Sequence, residues 1–244
     1  MRRARVAYDG QVHEATPSTE GLRLEDGREV AEDHVVWLPP VVPGAIFAVG
    51  LNYAEHVAEL SFKAPKEPLV FLKGPNTLVG HRSITPRPQG VAYMHYECEL
   101  AVVIGRTARN IKQAAAYEYV GGYTVANDYA IRDYLENYYR PNLRVKSRDR
   151  STPLGPWFVD RDDIADPMDL WIETRLNGKV TQEGSTRDMI FSIAFMIEYL
   201  SAFMTLEPGD LILTGTPLGL ADCRPGDEVV TTVEGIGSLI NTIG

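Results

Sequence analysis

Short alternating runs separated by Asp-Gly or Asn-Gly dipeptides restrict the fold of this chain more than any other sequence feature. Asp9-Gly10 divides Val6-Ala7-Tyr8 from Gln11-Val12-His13, and Asp26-Gly27 divides Leu22-Arg23-Leu24 from Arg28-Glu29-Val30. Asn177-Gly178 is a third such turn. Each predicts a β-hairpin, because a type I′ turn needs positive φ at both central residues, which Asn, Asp and Gly tolerate. Residues 1–38 therefore read as two hairpins, before Pro39-Pro40 and Pro43-Gly44 break the pattern. A boundary belongs there, with a small N-terminal β-hairpin domain over 1–42 and a main domain over 43–244.

The main domain is also strand-rich. Leu69–Lys73, Glu99–Ile104, Tyr123–Asp128, Trp157–Asp160, Leu170–Leu176, Asp210–Thr214 and Glu228–Val233 are apolar or β-branched runs bounded by Gly, Pro or Asn. Two helices are expected. Asn110 would cap one running to Val120, where Gly121-Gly122 stops it. A second would follow Ser185, with Asp188 completing a capping-box-like pair. Its stripe of Ile190, Ile193, Ile197 and Leu200 keeps helical spacing up to Pro208-Gly209. Many strands without regular βαβ alternation predict a mainly β fold, a sandwich or barrel-like roll rather than a doubly wound sheet.

With 24 Lys and Arg against 33 Asp and Glu, the net charge of −9 argues against nucleic acid or an anionic membrane as the main partner. Two cysteines are too few for a disulfide framework and form no CxxC clip. MRRARVAYDG lacks the apolar stretch of a signal peptide, and Met189–Leu200 is far short of a membrane span, so a soluble, cytoplasmic protein is expected.

Four segments carry candidate chemistry. Glu97 and Glu99 flank Cys98 at the head of an apolar strand, so they share one face while Cys98 takes the other. They are either a solvated strand edge or, with Asp128 closing another apolar strand, oxygen ligands for a hard cation such as Mg²⁺ or Mn²⁺. His56 and Glu59 are adjacent if their segment is helical, as a surface pair or as a base whose tautomer a carboxylate fixes. RPNLRVKSRDR packs five cations and one Asp into eleven residues. It is a solvated loop or a receptor for substrate carboxylates, through Arg140, Arg144, Arg148 and Lys146. Finally, LTGTPLG ends a strand in a Gly-rich turn whose N–H groups and Thr216 hydroxyl suit an anion. GxxxxGK[ST], GxGxxG and HExxH are all missing, so nucleotide hydrolysis, Rossmann binding and zincin chemistry lack their signatures.

In this order the segments resemble the fumarylacetoacetate hydrolase family over about residues 43–244. The carrying motifs are GLNYAEHVAE, FLKGPNTLVG, YECELAVVIG, GYTVANDYAIRD, VKSRDRSTPLGPWFV, LNGKVTQEGSTRDMIF and LILTGTPLG. The resemblance implies a mixed β-sandwich roll with a small N-terminal β appendage, acting as a homodimer on a small 2-oxo di- or tricarboxylate. It implies Glu97, Glu99 and Asp128 as Mg²⁺ (or Mn²⁺) ligands and His56, Glu59 and Lys146 as catalytic groups. Lys73, Gln182 and Thr216 would join the arginines in binding substrate.

Within the family, ENYYRPNLRVKSRDRSTPLGPWFVD is most similar to the homoprotocatechuate branch. That implies decarboxylation of 5-oxopent-3-ene-1,2,5-tricarboxylate and isomerisation of 2-hydroxyhepta-2,4-diene-1,7-dioate. Acylpyruvate or fumarylpyruvate hydrolysis and oxaloacetate decarboxylation are the alternatives, and a non-catalytic metal-stabilised β protein is a distant one. Where hydrolytic members commonly read FDTF, this chain has SRDR, which weighs against C–C hydrolysis.

Overall fold

Asp9 and Gly10 both take positive φ, 51° and 75°, as do Asn177 and Gly178, 51° and 79°, so the outer two dipeptides make the type I′ turns expected of them. The middle hairpin differs. Leu24 N–H donates to the Arg28 carbonyl at 2.8 Å, and of the intervening residues Gly27 alone is left-handed, at φ 90°. A three-residue loop needs just one left-handed residue, its last.

The computed structural model describes residues 1–55, 65–135 and 143–244. The N-terminal stretch supplies β1 (Arg2–Tyr8), β2 (Gln11–Ser18), β3 (Gly21–Leu24), β4 (Glu29–Val30) and β5 (Val36–Leu38). Next come β6 (Ile46–Gly50), β7 (Leu69–Lys73), β8 (Leu78–Val79), β9 (Ser83–Thr85) and β10 (Met94–His95). The centre holds β11 (Cys98–Ile104), β12 (Val120–Asn127), β13 (Ala130–Ile131), the single turn α1 (Leu143–Lys146) and β14 (Thr152–Asp160). The chain ends with β15 (Trp171–Leu176), β16 (Lys179–Ser185), α2 (Ile193–Phe203), β17 (Leu211–Leu213), β18 (Glu228–Val233) and β19 (Gly237–Ile243).

The fold is mainly β, as the strand pattern predicts. A 12-stranded sheet runs β4-β3-β2-β1-β14-β12-β11-β17-β6-β7, with β5 on β1 and β8 on β14. A second sheet of five strands runs β16-β15-β18-β19-β9, and β10 pairs with β13. Leu100, Val102, Tyr123 and Val125 of the large sheet share a core with Ile172, Val233 and Leu239 of the small one, closed by Ile193, Ile197 and Leu200 of α2. Their alternates Ala101 and Val103 pack on the other face with Ile46, Leu211 and Leu213. Strand β11 is thus buried along its whole length, which is why it reads as a continuous apolar run. Strands β1 to β4 and Trp37 form their own apolar cluster, and β1 continues the large sheet by pairing Arg3 with Phe158.

The helices depart from expectation. Asn110 starts no helix; its N–H is bonded to the Ser201 carbonyl at 2.8 Å, and a 3-10 segment spans Gln113–Tyr119. Ser185 caps only the 3-10 turn Thr186–Asp188, and α2 begins at a second cap, Ser192, whose hydroxyl accepts from Phe195 N–H at 3.1 Å. Ile190 and Phe191 lie ahead of it because buried Asn52 claims both their N–H groups, at 2.7 and 2.8 Å. At Ile190 and Phe191 a tertiary bond takes a donor that the local pattern assigns to a helix. No helix among the described residues is long and apolar enough to cross a membrane.

Candidate active site

Strand pairing assembles the acidic cluster. In the antiparallel β11–β12 ladder Cys98 lies opposite Asn127, so Asp128, one residue beyond β12, stands across from Glu97. Two bonds lock this corner: Asp128 N–H to the Glu97 carbonyl at 2.9 Å, and Glu97 N–H to Asn127 Oδ1 at 2.9 Å. Cys98 takes the opposite face, its thiol 3.9 Å from the Thr232 carbonyl. Glu97, Glu99 and Asp128 are 7%, 1% and 1% exposed, and their nearest ligand atoms all lie within 4.8 Å of one another. Such burial excludes the solvated strand edge.

Three carboxylates this close and this dry need cations. Burial, then the charges of Asp128 and Glu97, push Glu99 well above the usual carboxylate range, against a 2.6 Å hydrogen bond from Gly215 N–H. Lys146 Nζ meets Glu97 Oε2 at 2.5 Å and Asp128 Oδ2 at 2.8 Å. Burial opposes its charge, but Asp128 and Glu97 outweigh burial and raise its pKa. Lys73 Nζ meets Asp128 Oδ1 at 2.5 Å and donates to the Lys146 carbonyl; here burial wins and its pKa is lowered. Beside these cations the three carboxylates present a set of hard oxygen donors. That donor set fits Mg²⁺ or Mn²⁺ better than a thiolate- or imidazole-seeking metal.

Two neighbours escaped the sequence reading. Arg132 donates from Nε to His95 Nε2 at 2.7 Å, and its terminal nitrogen lies 3.6 Å from Glu97 Oε1. His95 Nδ1 sits 3.0 Å from the Tyr96 carbonyl. For His95 the signal was its alternation with Glu97 and Glu99 in the sequence, and its Nδ1 lies 3.7 Å from Glu97 Oε1 although β10 ends before β11 begins.

The Gly-rich turn after β17 forms the neighbouring wall. A Cβ on Gly215 (φ 89°) would meet Asn52 Cβ at 2.9 Å and the Val49 carbonyl at 3.0 Å, so only glycine brings this backbone against Glu99. Thr216 is buried and its hydroxyl accepts from Gln182 Nε2 at 2.9 Å; the same amide nitrogen donates to the Pro217 carbonyl at 2.8 Å. The Gln182 oxygen in turn accepts from Thr174 at 2.9 Å.

The described part of the basic run, residues 143–150, is not extended. Leu143–Lys146 form α1, closed by Ser147 N–H to the Leu143 carbonyl at 2.9 Å. Strand-like alternation would have put Arg144, Lys146 and Arg148 on one face; the helical turn instead sends Lys146 inward and leaves both arginines exposed. Their guanidiniums lie over the Tyr134 ring, 4.3 and 5.8 Å from its centroid. The helical turn leaves Lys146 alone of the three cations to reach the buried carboxylates of Glu97 and Asp128. His56, Glu59 and Arg140 lie outside the described residues.

The model of the fumarylacetoacetate (FAA) hydrolase C-terminal family matches residues 45–244. The chain belongs to this family. It is 60% identical over 229 residues to the 4-hydroxyphenylacetate degradation bifunctional isomerase/decarboxylase of Salmonella dublin, covering 91% of this chain and 53% of that protein. The chain spans about half the length of the curated relatives of that kind that it matches. Among solved structures, the fumarylacetoacetate hydrolase fold recurs in 5-carboxymethyl-2-hydroxymuconate delta-isomerase from Mycobacterium smegmatis, with TM-score 0.87 and 37% identity over 100% of this chain and 98% of that one. The 2-hydroxyhepta-2,4-diene-1,7-dioate isomerase from Mycobacterium marinum gives TM-score 0.86 and 34% identity over 100% and 98%.

Proposed function

We propose that this chain is a divalent-metal-dependent enzyme of aromatic catabolism. Its reactions are decarboxylation of 5-oxopent-3-ene-1,2,5-tricarboxylate, isomerisation of 2-hydroxyhepta-2,4-diene-1,7-dioate, or both. The observation that carries the reading is the buried convergence of Glu97, Glu99 and Asp128, with Lys146 paired to the first and last of them. The named activities of the 60% identical relative and of the two isomerases of like fold support this choice among the family's chemistries.

Glu97, Glu99 and Asp128 would hold Mg²⁺ or Mn²⁺, which when bound supplies Lewis-acid polarisation of a 2-oxo acid. Lys146 adds an ammonium for the substrate carboxylate or for a developing oxyanion. Thr216, accepting from Gln182, keeps its own proton to donate to a substrate oxygen. His56, oriented by Glu59, moves the proton between carbons. That last role rests on the resemblance of GLNYAEHVAE. A homodimer in the cytoplasm is part of the same proposal.

The test is turnover by the purified chain on both substrates, on an acylpyruvate and on oxaloacetate, with added Mg²⁺ and after exhaustive chelation. Metal-dependent turnover of one or both pathway substrates is expected. Turnover confined to the acylpyruvate would transfer the reading to C–C hydrolysis, and full activity after chelation would remove the metal from it. Metal binding without any turnover would leave a metal-stabilised β protein.

A further inference from the structure

Lys73 and Lys146 touch the same carboxylate, Asp128, but their surroundings assign them different work. Lys146 lies between Glu97 and Asp128 Oδ2 and keeps some exposure, so it can yield either partner to a solute. The Lys73 side chain is 0% exposed. It reaches from β7, the last strand of the large sheet, to Asp128 beyond β12, and caps the backbone carbonyl of Lys146 on α1. We infer that Lys73 is a positioning residue: by pinning Asp128 Oδ1 and the α1 backbone it aims Oδ2 at Glu97 and Glu99. The inference rests on the reading of those three carboxylates as metal ligands. It also takes Lys73 out of direct contact with substrate, because a wholly enclosed ammonium has no face to offer.

A carboxylate with one oxygen held has its other oxygen oriented before a cation arrives, so the cation binds without first ordering its ligand. Outer partners of this kind typically contribute 10–100-fold to metal affinity. A lysine that merely neutralised buried charge would behave differently, since its removal would lower stability and strengthen cation binding by deleting a repulsive charge.

The experiment is a titration of the metal-free chain with Mn²⁺ alone, followed by calorimetry and by the electron paramagnetic resonance of free Mn²⁺. Melting temperature and circular dichroism are recorded beside it. Lys73→Met is expected to raise the Mn²⁺ dissociation constant by about 10–100-fold while keeping the wild-type circular dichroism. Unchanged or tighter Mn²⁺ binding would overturn the inference, whatever happens to the melting temperature. If Lys73→Met does not fold, Lys73→Gln is read by the same criterion, and failure of both to fold would make Lys73 a core residue and overturn it too. A wild-type chain that binds Mn²⁺ but turns over no substrate would sink the functional reading and leave this one standing.

Discussion

At the scale of single residues, burial sorts the titratable groups into those that carry charge and those that refuse it. His81 refuses it: burial, with Arg82 adjacent, lowers its pKa from 6.5 to about 4, and its Nδ1 accepts the Ile240 N–H at 3.1 Å. A folded pKa below the unfolded one means that stability is intact above about pH 6.5 and falls as pH drops from there to about 4, because the unfolded chain gains a proton that the folded chain resists. The loss is on the order of 3 kcal/mol across that window. Urea unfolding between pH 7.5 and 4.5 should show a shallower acid limb in His81→Gln than in the wild type; equal slopes would clear His81 of the effect. For the proposed base, His56→Ala and Glu59→Gln should each lower turnover by roughly 10²–10⁴-fold and leave Mn²⁺ affinity within a few-fold of wild type. Wild-type turnover in both variants would make the pair structural. The acidic candidates were legible in the sequence because strand alternation is local. The partners holding them were less so: Lys73 and Lys146 are 55 and 18 residues from Asp128 in the chain.

Elements show the same division. The cores of β7, β11, β12 and β18 follow from apolar, β-branched runs, and the Asn177-Gly178 hairpin follows from backbone sterics, so all were readable. The start of α2 was not, because Ile190 and Phe191 spend their N–H groups on the distant Asn52. On α1 successive side chains turn by about 100°, so residues two apart point in nearly opposite directions. Arg144 therefore points away from Lys146, and Arg148, two residues beyond α1, joins it over the Tyr134 ring. Arg144→Met and Arg148→Met are expected to lower kcat/KM by similar factors, under about 10-fold, for substrates with and without a distal carboxylate, the scale of a lost exposed cation–π contact. A loss of about 1.5–3 kcal/mol confined to the diacid would return these arginines to substrate binding.

For the whole molecule, the question is whether residues 1–42 stand as a domain of their own, a division that remains a proposal. They have their own apolar cluster, yet β1 extends the large sheet through β14, and Trp37 rests edge-on against Trp157 and His81, at 5.4 and 4.8 Å. A chain restricted to 43–244 would bare the β14 edge and both of those rings. It is expected to melt at least about 10 °C below the full chain or to aggregate, given an unpaired edge and several kcal/mol of lost burial. A fragment melting with the intact chain would establish an independent unit. By itself the sequence determined the mainly β architecture, the places of the hairpins and which acidic residues are the candidate ligands, since period-two alternation and turn-forming dipeptides act between neighbours in the chain. Only the tertiary structure decided that Glu97, Glu99 and Asp128 are dry, that two lysines divide Asp128 between them, and that His95 holds Arg132 at its edge. Burial and ion pairing depend on which distant segments the sheet register brings together, and no local pattern encodes that.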